Sequence, residues 1–175
     1  LKPVKIKVMT ILLKTAVFFL LGVFLSCSNA GKTNSTVLKK TDGSADQWII
    51  LNMGTQCSVK QPTQRLITTF NEFSAEWKKV FSGMDIQPDI PQVDFGKSWV
   101  VAAFMGEKNK GGFEISMASV QKGADSFVVT IRHITPGPNC MSSMAIEYPY
   151  VFAEIAQFPA LKAEFKVAEE IKDCN

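Results

Sequence analysis

The chain has one histidine, His133, in 175 residues, and no CxxC pair among its four cysteines. Structural zinc is held by closely spaced cysteine and histidine ligands, so no zinc site is expected, and no other metal or cofactor is assigned. There is no GxSxG stretch to present a serine nucleophile, and no GxxxxGK[ST] run to cradle phosphate. The one glycine-rich stretch, "FMGEKNKGGFEISM" at 104–117, leads into apolar alternation and not into a helix, and neither Lys-Ser nor Lys-Thr follows its glycines. No internal repeat is found.

General acid–base catalysis needs positioned carboxylates or histidine, and nucleophilic catalysis needs Ser, Cys or Lys beside a base. His133 shares its strand face with Phe127, Val129 and Ile131 if alternation holds, which reads as a strand-end residue rather than a base. Glu107 and Glu114 flank the glycine stretch as ordinary surface acids, and Ser142 and Ser143 stand in a loop without nucleophile context. No catalytic residue is assigned, and the chain is read as a non-enzyme.

Long apolar runs are confined to the start. In "ILLKTAVFFLLGVFLSCSN" Lys14 interrupts the run, and Ala16 to Leu25 falls short of the about 20 apolar residues that span a bilayer. With Ser26 before Cys27, the segment reads as a lipoprotein signal over 1–26, with Cys27 the lipidated residue and Met9 a plausible start. Four of the 19 basic residues precede Cys27 and none of the 16 acidic ones does, so the remainder carries 15 against 16. A nucleic-acid footprint needs a clustered basic face, and none is left. Residues 27–46, rich in Ser, Thr, Asn and Gly, read as a tether, because they hold too little apolar surface to offset the entropy of ordering. A single domain over 47–175 follows.

With Cys27 lipidated, Cys57, Cys140 and Cys174 form an odd set. A Cys57–Cys140 disulfide is expected, with Cys174 free; Cys140–Cys174 is the alternative.

Within the domain, "QWIILNM" (47–53) and "RLITTF" (65–70) read as short strands. Over 71–82 the period changes: Phe73, Trp77, Val80 and Phe81 recur at steps of three and four, giving an amphipathic helix with Asn71 as cap and Gly83 as stop. "SWVVAAFMG" (98–106) is apolar at consecutive positions, so it is expected to be a central strand covered on both faces. "GFEISMASV" (112–120) alternates, and the pair is expected to form a β-hairpin through "EKNKGG", with Gly106, Gly111 and Gly112 as turn glycines. Strands follow at 126–134, at "YVFAEIAQF" and at "AEFKVAEEI", the last with a helical alternative. The fold class is α+β: mainly antiparallel sheet, sandwich-like or a curled meander, with one helix packed on it.

"VVAAFMGEKNKGGFEISMASV", "VVTIRHITPGPNC" and "YPYVFAEIAQ" together resemble the PrcB C-terminal domain family, named for a subunit of a surface protease complex. Its pattern is a strand, Gly-x-Lys-x-Thr-Gly-Gly-aromatic, a second strand, and a proline-bearing loop before a further apolar strand. Gly106, Lys108, Gly111, Gly112 and Phe113 fit the first part; Pro136, Pro149 and Tyr150 fit the later part. Lys110 stands where the pattern has threonine, so no role of that hydroxyl carries over. The resemblance spans about 98–157, and helix 71–82 is similar to an element often found before it. It implies a non-catalytic accessory domain that binds and stabilises a protein partner, in the founding example a protease.

The chain is therefore expected to be a monomeric, lipid-anchored protein of the bacterial cell envelope that binds a protein partner. Its contact residues would be Lys108, Asn109 and Lys110 on the glycine loop, and Pro136, Pro138, Asn139 and Met141 on the long loop 135–149. A glycan or small-molecule site built on Trp99, Tyr148 and Tyr150 is the alternative, and a hydrolase the third.

Overall fold

The computed structural model describes residues 48–174. The expected signal segment (1–26), the expected tether (27–46) and Cys27 lie outside the described residues. Among the described residues, seven strands and one helix occur in the order β1 (Trp48–Gly54), β2 (Thr63–Ile67), α1 (Phe70–Val80), β3 (Ser98–Phe104), β4 (Glu114–Lys122), β5 (Ser126–Pro136), β6 (Tyr150–Ala156) and β7 (Lys162–Lys172). They form two sheets, β1-β6-β3-β2 and β4-β5-β7. Every pairing is antiparallel except that of β5 with β7, which is parallel. The class is α+β, as the residue pattern implied.

The four-stranded sheet is the middle of three layers. On β3, Val101 and Ala103 pack toward the three-stranded sheet, while Val100, Ala102 and Phe104 pack toward α1. That accounts for the consecutive apolar residues of this strand: β6 and β2 flank it, and both faces are covered. Along β5, by contrast, Phe127, Val129, Ile131 and His133 are buried and the intervening residues are not, because one face of this sheet meets solvent.

The helix starts one residue earlier than periodicity suggested, and its cap is Thr69, not Asn71. Thr69 Oγ1 accepts from the Glu72 N–H at 3.3 Å, and Glu72 Oε2 accepts from the Thr68 N–H at 3.3 Å. Thr-x-x-Glu thus closes the first turn from both sides, a variant of the capping box. Phe73, Trp77 and Phe81 then point at Phe152, whose ring also meets Phe104 edge-on at 5.7 Å. The Trp77 indole N–H donates to Pro88 O at 2.9 Å, which fastens the connector after the helix and pairs the one donor of this buried ring.

The expected hairpin is not formed. β3 has no free edge for β4, and after Phe104 the chain leaves the middle layer, so that β4 starts in the other sheet against β5. "EKNKGG" is a crossing between layers, not a reversal within one. β6 and β7 likewise lie in different sheets, joined by a tight turn in which Ala160 adopts φ 66°.

The disulfide is Cys140–Cys174, not Cys57–Cys140. The parallel register sets Pro136 opposite Lys172, so the chain beyond each strand meets its neighbour, with Cα atoms 4.9 Å apart. Cys57 is free, lies on the loop between β1 and β2, and donates its thiol to Tyr148 O at 3.4 Å. Burial pushes that thiol above its ordinary pKa.

Candidate partner-binding loops

The registers place the ends of four strands together. Gly54, Tyr150, Phe104 and Thr63 lie in one row across the four-stranded sheet. Three loops leave from that row: 55–62, 105–113 and 137–149.

The loops are stitched mainly by backbone groups. Lys108 and Glu147 exchange both N–H···O=C bonds, at 2.8 and 3.0 Å, forming an isolated antiparallel bridge. The Met105 N–H donates to Pro149 O, the Gly111 N–H to Ser143 O, and the Glu107 N–H to Lys60 O. From loop 55–62, Thr55 O accepts the Tyr148 N–H at 2.8 Å. Tyr148 also donates its hydroxyl to Glu107 Oε2 at 3.0 Å, a bond that raises the phenol pKa by stabilising its protonated form.

The glycines have two different tasks here. Gly106 (φ +71°) and Gly112 (φ +93°) occupy the left-handed region, and a Cβ on Gly106 would lie 2.8 Å from Lys60 O. Gly111 instead permits close approach: a Cβ there would collide with the Ser143 hydroxyl and the Glu147 carboxyl. Gly-Gly is therefore a seat for the long loop.

The two loops that the sequence singled out are thus in contact, but their residues are not equally available. Asn109, Pro138, Asn139 and Met141 are exposed and Lys110 is half-buried. The Lys108 ammonium sits 5.3 Å from the centre of the Phe113 ring, a cation–π placement that keeps it against its own domain. Pro136 is buried beneath Gly112 and shapes the base of the loop rather than offering a contact. Residues not singled out are more prominent. Met144 is 93% exposed and Ile146 51%, beside Met141 at 101%. Their chemistry was visible in "MSSMAI", but only the pinning of both loop ends reveals that they have no interior to enter.

The aromatic alternative loses its geometry. Trp99 packs with Phe127 on one side of the four-stranded sheet, and Tyr150 is buried among Phe81 and Phe152 on the other. Tyr150 donates to Asn52 Oδ1 at 2.7 Å, and burial pushes its phenol up to about 12. These rings form no shared platform with Tyr148.

Glu107 and Glu114 take separate partners, Tyr148 and Lys172. His133 is buried, with Nδ1 3.3 Å from Glu169 Oε1 and Nε2 without a hydrogen-bond partner. Burial holds its pKa below the ordinary value; the Glu169 carboxylate opposes that shift and the Lys108 ammonium adds to it. Three buried polar atoms among the described residues lack partners, and two of them, Ser142 Oγ and Glu147 Oε2, belong to the long loop.

A helix laid on a four-stranded sheet backed by a mixed three-stranded one, with its loops tied together at one end, defines an α+β sandwich domain with a presented loop surface. Residues 99–156, from β3 through β6, match the model of the family described as PrcB C-terminal. No curated protein and no solved structure gives a significant match to the chain.

Proposed function

We propose that the protein is a non-catalytic accessory protein of the bacterial cell envelope, held there by a lipid on Cys27, and that loop 137–149 docks a protein partner, of which a protease is one. The observation that carries this reading is the outward display of Met141, Met144 and Ile146 on a loop whose two ends are bonded to a rigid sandwich. Clustered apolar side chains in water mark contact surfaces, and unbranched thioethers adapt to irregular ones. A preformed loop also has less entropy to lose on binding. The family match over 99–156 supports an accessory role in a protease complex.

The test uses a photo-cross-linking residue at position 144 and, as control, at the 88% exposed Ile86, far along the chain in the connector. In the native envelope, adducts of one partner are expected from position 144 and not from 86. Equal adducts from both, or none from 144, would remove the loop from the interface. Metabolic labelling with a fatty-acid analogue tests the anchor separately, label being expected in the wild type and lost in Cys27→Ala.

A further inference from the structure

β7 is held in two different ways along its length. Its first half places Ala163 and Phe165 against the core between the sheets. From Lys166 to Lys172 every residue is exposed, and no large side chain is buried. That half has β5 on one side and, among the described residues, no strand on the other. Besides the parallel ladder, it is held by Glu169 to His133 (3.3 Å), Glu170 to Arg132 (3.6 Å) and Lys172 to Glu114 (2.7 Å). The exposed pairs made by Glu170 and Lys172 contribute little, typically about 0–1 kcal/mol, whereas that of Glu169 is made with the buried His133. Beyond them lies one covalent tie, Cys174 to Cys140.

Cys140 is also where the long loop begins. The Gly137 N–H donates to Lys172 O at 3.0 Å, and Cys140 Sγ lies 3.1 Å from the same oxygen. The end of β7 and the first turn of loop 137–149 therefore hold each other through one point. Ile171, 69% exposed, lies against Gly137.

We propose that residues 166–174 form a redox-latched strap. The Cys140–Cys174 bridge fixes the strap along β5 and, through Cys140, sets the docking loop; reduction releases both. In the step, the S–S bond takes up two electrons and two protons to give two thiols, while a dithiol reductant of the CxxC reductase or dithiothreitol type closes its own disulfide. The released strap has no buried apolar side chain to draw it back, Val167 and Ile171 both being exposed, and the parallel ladder at an edge is the part of the sheet least protected from water. This inference rests on the proposed docking role of the loop only for its biological use, not for its mechanics.

The test is hydrogen–deuterium exchange on the full chain, oxidised and after dithiothreitol at neutral pH without denaturant, with Cys140→Ser/Cys174→Ser as a permanently open form. On reduction, the amides within 166–172 that bond to β5, and that of Gly137, are expected to exchange at least tenfold faster and to approach the unprotected rate. β3 and β6 should stay strongly protected. The double variant should match the reduced wild type without reductant. If the strap amides stay as slow as those of β4 after reduction, or if β3 and β6 reach the unprotected rate with them, the latch is wrong. A strap that loosens as described while position 144 yields no partner adduct would leave the latch standing and remove the docking reading.

Discussion

β6 and β7 are neighbours in sequence and opposites in construction. β6 lies inside the four-stranded sheet, and Tyr150 to Ala153 are buried, with Phe152 at the meeting point of the helix rings. β7 lies at an edge and is covered only over its first half. One strand is kept in place by what it hides from water, the other increasingly by named links to its neighbours. Burial acts through many small contacts, none of which can be switched, whereas a covalent or ionic link can be made and broken singly. Stability of the body and adjustability of the rim are thereby assigned to different strands.

Phe152→Ala would break the comparison most severely. It removes the ring on which Phe73, Trp77, Phe81 and Phe104 converge, and a loss of about 3–5 kcal/mol is expected from chemical denaturation. A loss under about 1 kcal/mol would mean that the helix side does not hold the body. Gly106→Ala is next. It combines a left-handed backbone, costing about 1–2 kcal/mol, with a close approach to Lys60 O and the Pro62 ring that backbone movement must relieve. Gly111→Ala meets only the movable ends of Ser143 and Glu147 and should cost less, the difference being read from paired denaturation curves.

His133 sharpens the comparison through pH. Its folded pKa is depressed, so between the ordinary value of about 6.5 and the lower folded value the unfolded chain binds more protons. Stability is fully present above that window and falls as pH drops through it. Denaturation midpoints from pH 8 to pH 5 should show a decline that His133→Gln flattens; parallel declines in the two proteins would assign the effect to other groups. The smallest effect belongs to Lys172→Ala, which removes a half-exposed ion pair with Glu114 and should cost about 0.5 kcal/mol in the oxidised protein.

Much of the body was legible because its signals are local. The three-and-four spacing of Phe73, Trp77 and Phe81 located the helix, and the unbroken apolar run of β3 announced cover on both faces. The cap was misplaced by two residues because Thr69 and Asn71 are both cap-forming types, and only backbone geometry decides between them. The glycine stretch reads as a hairpin, and does not form one, for a different reason. Two strands joined by a short link pair only if one of them has a free edge, and β3 loses both edges to β2 and β6, which come from distant parts of the sequence. The disulfide failed in the same way, since the parallel pairing of β5 and β7 that brings Cys140 to Cys174 spans the whole of β6. At the loop surface, Met141 could be named from composition, but the bridge between Lys108 and Glu147 that presents it is a long-range fact.

The segment that carries the family resemblance contains two ribbons, β3 with β6 and β4 with β5, laid face to face. Cut out at those borders, it would have raw seams on both ribbons where β1, β2 and β7 had been bonded, and Phe104 and Phe152 would stand bare to water without α1. Unpaired strand margins of that kind recruit whatever chain comes near. Anyone preparing this domain for study should therefore expect the excised core to clump, and should keep the flanks from Trp48 to Cys174.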